Sequence, residues 1–358
     1  MKTLNLAIAG CGAITETYHA PALVELARAG IVRVSALFDP EPARLAAVLR
    51  FFPEAKACAT LAELILAGAQ AAIVASPPRF HGEQTCALLE AGLGVLCEKP
   101  MAISTSDAEK MAEVARRTGK PLAIGLLRRF FPALQAIKDL VQDRALGEIR
   151  SFSCPEGGAF GWPAQSPSLF QKAASGGGVL LDVGVHVLDL VQWWFGEPMQ
   201  VEYSDDAMGG LEANCEVKLT YSGFGGSVRL SRDTPLANRY TIDCEHGKLA
   251  WDVMQANHFD LTPTGAKRVL RCESFQPSPL GREKSPALSS GTFYSSFIDQ
   301  LRNFLAAVRG EAELSVSGEE GLKSMRLIER CYNGRRLIEM PWLSATEGTR
   351  ARRLSGSI

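Results

Sequence analysis

Leu4-Asn-Leu-Ala-Ile-Ala9 is a short apolar run that breaks into Gly10-Cys-Gly12-Ala-Ile-Thr15, and this opening restricts the fold more than any other part of the chain. A helix-like stretch, about Thr17 to Arg28, follows it, and a second apolar run from Ile31 to Phe38 closes on Asp39. Strand, glycine turn, helix, strand and terminal acid together make the layout of a dinucleotide-binding unit. Gly10 permits the tight turn. Gly12 leaves the backbone bare, so that a pyrophosphate can approach the N–H groups around Ala13 and Ile14 at the helix start. Asp39 comes 24 residues after Thr15, close to the interval of about 20 expected for the acid that holds a ribose. A carboxylate there accepts the 2′-hydroxyl of NAD and repels the 2′-phosphate of NADP, and Glu41 adds to the repulsion. NAD is therefore the expected cofactor, with Arg44 leaving NADP possible. Thr15 stands where a third glycine or alanine is usual; its methyl is expected to loosen helix–strand packing slightly and to leave the phosphate site intact.

The alternation continues. Ala71 to Ala75 reads as a strand running into Ser76-Pro77-Pro78-Arg79-Phe80-His81, and Val95-Leu96-Cys97 as a strand reaching Glu98-Lys99-Pro100. A helix should start between Ser104 and Ser106, with Ser106 and Glu109 as its capping box. The strand near Leu122 to Ile124 ends the first domain at about residue 125. In open parallel sheets, ligands sit at the carboxyl ends of the strands, which is where Ser76 to His81 and Glu98 to Pro100 would be delivered. The lysine, fixed by the proline after it, is a stronger candidate than an ordinary surface Glu–Lys pair.

Beyond Gly147 short alternating runs follow without intervening helices: Ile149–Cys154, Gln200–Tyr203, Ala213–Tyr221, Gly226–Arg232, Tyr240–Cys244, Lys248–Val253 and Phe259–Thr262. Such runs imply an antiparallel sheet. One helix interrupts them, and it carries an unusual segment, Gly176-Gly-Gly-Val-Leu-Leu-Asp182-Val-Gly-Val-His186. Asp182 and His186 are four apart and share one helical face among apolar neighbours. A carboxylate and an imidazole set in such a helix cost desolvation energy unless something uses or satisfies them. The three glycines allow a backbone or ligand to come close. The expected fold is an α/β N-terminal Rossmann domain over residues 1–125 plus an α+β C-terminal domain over 126–343 with a large, open, mainly antiparallel sheet. Residues 344–358 are expected as a flexible tail and Glu273 to Gly291 as a long loop, with a lid as the alternative.

Composition excludes several classes. A length of 358 residues suits two domains, and a net charge of −1 makes no electrostatic case for nucleic acid or an anionic membrane. No apolar run is expected to reach the roughly 18 residues that cross a bilayer. The nine cysteines are scattered without C-x-x-C or metal-ligand spacing, so no metal is expected, and the thiols read as reduced and packed. The apolar start ending in Ile8-Ala9-Gly10-Cys11 superficially resembles a lipoprotein signal, but it merges into the glycine turn; a cytoplasmic location is expected.

In this order, Gly10-x-Gly12, Pro77-Pro78, His81, Glu98-Lys99-Pro100, Arg128-Arg129-Phe130, Gly176-Gly-Gly, Asp182-x-x-x-His186 and Val316-Ser-Gly-Glu-Glu-Gly resemble the glucose–fructose oxidoreductase/inositol dehydrogenase (Gfo/Idh/MocA) family of sugar dehydrogenases. The likeness covers nearly the whole chain; Thr15 and Leu127 are its departures. It implies an NAD(P)-dependent enzyme that moves a hydride between nicotinamide and a secondary alcohol or ketone of a sugar, cyclitol or sugar derivative. Its catalytic lysine, aspartate and histidine fall on Lys99, Asp182 and His186. The physics agrees with that placement: a histidine suits the proton acceptor at neutral pH, and a lysine stabilises developing alkoxide charge. Ser76, Pro77, His81, Glu98 and Lys99 would join the cofactor site, with His81 over the cofactor. Arg128 and Trp162 would contact substrate, the tryptophan by stacking on a sugar. Asp189, His19, His246 and His258 default to structural roles. The resemblance also implies a homodimer or homotetramer. Two other classes stand against this reading: a non-catalytic dinucleotide-binding regulator of the same fold, and a reductase of a non-sugar substrate.

Overall fold

The computed structural model describes residues 3–164, 167–274 and 293–338. They fall into two units: one from the described parts of Met1–Phe130, Pro163–Gly176 and Tyr294–Met325, the other from Phe131–Trp162, Gly177–Phe293 and Arg326–Ile358. This differs from a single cut at residue 125. The first unit reclaims later segments because they finish its sheet edge: Ile124 N–H donates to Val316 O at 3.1 Å, and Arg129 pairs with Glu320 at 2.8 Å. The proposed lid at 273–291, but for Glu273 and Ser274, and the tail at 344–358 lie outside the described residues.

The first unit is a six-stranded parallel sheet of β1 (Leu4–Ala9), β2 (Val32–Phe38), β3 (Lys56–Cys58), β4 (Ala71–Val74), β5 (Gly94–Cys97) and β6 (Leu122–Ile124), in the order β3-β2-β1-β4-β5-β6. Leu6, Ile8, Ala72, Ile73, Val95 and Leu96 are wholly buried, as expected of parallel strands covered on both faces. The order reverses between β1 and β4, the place where ligands enter such sheets. The helix Thr105–Thr118 begins at Ser104, whose hydroxyl accepts from Asp107 N–H at 3.1 Å. The cap is thus Ser104 with Asp107, two residues before the expected Ser106 and Glu109, because Thr105 is already helical.

The second unit is a nine-stranded sheet of β7 (Ile149–Gly157), β8 (Gln200–Asp205), β9 (Asn214–Thr220), β10 (Gly225–Ser231), β11 (Arg239–Cys244), β12 (Gly247–Asp252), β13 (His258–Pro263), β14 (Leu270–Glu273) and β15 (Arg335–Leu337). The order is β14-β13-β12-β11-β7-β10-β9-β8-β15, antiparallel except where β10 meets β7 and β15 meets β8. Burial alternates along β9 and β11, so each has one covered face. The stretch Lys172–Phe195 is, by length and composition, apolar enough to cross a membrane, contrary to expectation. However, 78% of its apolar window is buried inside the protein, which is how a core helix behaves.

Candidate active site

In the first unit the carboxyl ends of β1, β2, β4 and β5 deliver Gly10, Asp39, Ser76 and Lys99. Gly10 has φ +102°, and a Cβ on it would fall on the Ser76 amide and the Ala75 carbonyl; only glycine fits this turn. Gly12 differs. No atom lies within 4 Å of where its Cβ would be, so packing does not demand glycine there, and the bare backbone leaves room for a phosphate group. The Asp39 carboxylate is buried and aimed by two backbone donors, Cys11 N–H at 2.8 Å and Glu41 N–H at 2.9 Å. Each carboxylate oxygen keeps a further lone pair for a ribose hydroxyl. A glycine cradle, the first-turn N–H groups around Ala13 and Ile14, and an aimed acid together fit a dinucleotide. Burial, and then the Asp39 charge, push the Cys11 thiol up to about 12, so it packs as a small apolar group.

Asp39→Ala should lower the preference for NAD over NADP by about 10- to 100-fold, the worth of one hydrogen bond to a charged group. Paired kcat/KM values for the two cofactors check this; an unchanged ratio removes Asp39 from the ribose site.

Thr15 is fully buried, and its hydroxyl donates to Gly10 O at 2.7 Å. The side chain ties the helix back to the glycine turn. It also begins a π-helical turn, Thr15–His19, that brings His19 into the core. There His19 Nε2 meets Glu98 Oε1 at 2.7 Å. The other Glu98 oxygen accepts the Lys99 N–H at 3.1 Å, and a Cβ on Gly125 would lie 2.8 Å from it. Burial pushes the Glu98 carboxyl up, but His19 and Lys99 outweigh it and hold the pKa below the usual range. Glu98 is therefore a brace under Lys99, and His19 has a partner that spacing did not show. Lys99 itself is half-buried and joined to Pro100 by a cis peptide.

His81 also departs from its expected place. It is 1% exposed, with Nε2 2.7 Å from Ser76 O and Nδ1 2.9 Å from Pro100 O. Both nitrogens face backbone carbonyls, of which the neutral ring donates to one, so the ring ties into the ends of β4 and β5 and turns its polar atoms to the backbone. The half-buried Ser76 donates its hydroxyl to Gln84 at 2.8 Å, and Pro77 opens the single turn Pro78–Phe80. Burial lowers the His81 pKa against the two carbonyls and Glu98, which raise it, while Lys99 lowers it further. The unfolded chain takes up a proton near pH 6.5 and the folded chain resists it. Stability from this group is thus complete above that pH and falls as the pH drops through it toward the folded value. Melting temperatures from pH 8 to pH 5 should show less acid destabilisation in His81→Gln than in wild type; parallel curves would exclude the buried ring as their cause. Arg128 is buried in this unit, as is Arg129 on Glu320.

In the second unit, Asp182 and His186 lie on a helix that opens with a π-helical turn, Leu180–Gly184, and continues as Val185–Phe195. From Val179 to Trp194 only Asp182, Val183, His186 and Trp193 escape burial. The start of this helix is held by Glu212, 2% exposed, whose carboxylate accepts from Gly178 N–H at 2.9 Å, Leu180 N–H at 3.1 Å and the Tyr332 hydroxyl at 2.8 Å. A Cβ on Gly178 would land on the Glu212 backbone, and one on Gly177 on the Tyr332 hydroxyl. These two glycines thus admit protein, while Gly176, at φ +80°, closes the short helix Lys172–Ser175. Asp182 is paired with Arg232, just past β10. Trp162, on the loop after β7, is 39% exposed.

Two models of one family fit the sequence: an oxidoreductase family with an NAD-binding Rossmann fold over residues 4–126, and the GFO/IDH/MocA C-terminal domain over residues 134–250. The chain belongs to the GFO/IDH/MocA oxidoreductases. It is 26% identical to the rhizopine catabolism protein MocA of Rhizobium meliloti over 92% of this chain and 94% of that protein. It is 30% identical to a myo-inositol dehydrogenase of Streptomyces leeuwenhoekii over 57% of this chain and 59% of that enzyme. The solved structure of aldose-aldose oxidoreductase from Caulobacter crescentus, complexed with glycerol, superposes with a TM-score of 0.77 at 25% identity, covering 93% of this chain and 97% of that one. Within this GFO/IDH/MocA chain, the sequence did not mark Glu212 and Arg232, nor the Glu98 partner of the structural His19. The only signal for His19 was its place four residues after Thr15. Glu212 and Arg232 reach Gly178 and Asp182 from 34 and 50 residues away, and no local pattern marks them.

Proposed function

We propose that this oxidoreductase interconverts a secondary alcohol and a ketone on a sugar, cyclitol or sugar derivative, with NAD as the preferred cofactor. The observation that carries this is the outer stripe of the Leu180–Phe195 helix, where a carboxylate and an imidazole stay accessible while almost every neighbour is buried. A helix so buried has little reason to keep two polar groups in reach unless they serve chemistry.

Bound NAD would supply the hydride acceptor, held by Gly10, Gly12, Ala13, Ile14 and Asp39. His186 takes the hydroxyl proton as general base and returns it in the reverse direction as general acid. Lys99, carried on the Glu98 brace, donates to the reacting oxygen and stabilises its developing negative charge. Asp182 accepts hydrogen bonds from neighbouring hydroxyls and positions the substrate. Trp162 offers an aromatic face to a sugar ring. Arg128 contacts substrate hydroxyls or an anionic substrate group. The reading includes a homodimer or homotetramer through the open face of the nine-stranded sheet, and a cytoplasmic location, consistent with nine cysteines outside disulfides, eight of them buried.

The test is NADH formation at 340 nm across sugars, cyclitols and sugar phosphates, each with NAD and NADP. Turnover of a polyol supports the reading. Silence across the panel with NAD binding intact would favour a dinucleotide-binding regulator.

A further inference from the structure

Arg232 pairs with Asp182, and the polyol reading assigns it no role. Its guanidinium donates to Asp182 Oδ2, and the two side chains are 12% and 25% exposed. The pair is thus partly withdrawn from water but still reachable. The guanidinium carbon also lies 5.4 Å from the centre of the Phe160 ring, within the range of a cation–π contact. Phe160 is 37% exposed on the same loop as Trp162, so part of its ring is reached by solvent beside the charged pair. Arg232 Nε is buried and makes no hydrogen bond among the described residues. An orphan donor of this kind marks a place where a ligand or a loop shift completes the bonding. Asp233, next along the chain, is tied to Ser231 and Asn214 and adds negative charge nearby.

We propose that Arg232 is a specificity-determining, substrate-binding residue, and that the Asp182–Arg232 pair beside Phe160 reads a neutral vicinal diol. This inference rests on the polyol reading above. A carboxylate accepts from two adjacent hydroxyls, and a planar guanidinium donates to the oxygens of those hydroxyls. The charges cancel within the pair, so a sugar acid or phosphate gains no net attraction and meets Asp233 in addition. The solvent-exposed part of the Phe160 ring suits the C–H side of a sugar ring whose hydroxyls are held by the pair.

The experiment takes a polyol turned over by the wild-type enzyme and compares kcat/KM for it and for its deoxy analogues, one hydroxyl removed at a time. In wild type, removal of either member of one vicinal pair should cost about 10- to 100-fold. In Arg232→Ala that discrimination should shrink toward unity, with KM raised more than kcat is lowered and NADH binding unchanged. Arg232→Lys should recover part of the discrimination, since it keeps a donor and the charge. Phe160→Ala should raise KM for all analogues alike. If Arg232→Ala does not fold, Arg232→Lys and Phe160→Ala carry the test. An active wild type whose deoxy discrimination is unchanged in the Arg232 variants overturns this assignment alone, as does a wild-type preference for sugar acids or phosphates. A wild type silent on every polyol overturns the functional reading and this inference together.

Discussion

His186→Ala is expected to lower kcat by roughly 10²–10⁴-fold, the usual worth of a positioned general base, with NAD affinity unchanged. The proton must leave the hydroxyl as the hydride leaves the carbon, and a buried helix offers few other acceptors near neutral pH. Asp182 is the nearest alternative in sequence, but its carboxylate is held by Arg232, which makes it a poorer base. The folded scaffold should survive the substitution, because His186 is among the few positions of this helix that are not buried. Steady-state kinetics on the best substrate, with a separate measurement of NAD binding by fluorescence, check this. Near-wild-type turnover would remove His186 from the chemistry; loss of NAD binding would show that the variant had damaged more than the base.

Lys99→Met should cost about 10²–10³-fold in kcat, comparable to removing one donor that stabilises an oxyanion. Methionine keeps the length and apolar stem of the side chain and removes only the ammonium group. The neighbouring brace should persist, since the hydrogen bond from residue 99 to Glu98 comes from the backbone N–H, which methionine retains. The loss should therefore appear in kcat and kcat/KM alike, with cofactor affinity little altered. A variant with unchanged kcat and a raised KM would instead make Lys99 a simple binding group.

Much of this site was legible along the chain, for reasons that differ from residue to residue. Gly10 and Asp39 were readable because local geometry demands them: a positive-φ turn admits glycine, and the acid closes a strand at a fixed interval. Asp182 and His186 were readable because two polar residues on one face of an apolar helix stand out by composition alone. Glu98 and His81 were expected at the cofactor site, and the structure shows partners that the chain alone did not: His19 for Glu98, and the Ser76 and Pro100 carbonyls for His81. A side chain's type shows what bonds it can make, not whether a backbone carbonyl or a buried histidine has already taken them. The Gly176–Gly178 run was seen as permission for close approach, yet whether ligand or protein approaches depends on Glu212 and Tyr332, remote in sequence. The short strands Lys56–Cys58, Leu270–Glu273 and Arg335–Leu337 escaped notice because three or four residues cannot establish an alternating pattern.

The two π-helical turns, Thr15–His19 and Leu180–Gly184, carry a consequence for how this chain tolerates length changes. Each accommodates one residue more than an α-helical turn would, and each residue of an α-helix advances the face by about 100°. A single-residue deletion within Leu180–Gly184 could restore an ordinary helix with hardly any strain. Because the π turn takes up its extra residue within one revolution, the helix beyond it would keep its angular phase and His186 its outward stripe. The same deletion early in Thr15–His19 would leave the helix Ala20–Arg28 in phase. A deletion in the regular α-helical turns that follow would instead rotate everything beyond it by about 100°, so length changes are tolerated inside the two π turns and constrained by angular phase outside them.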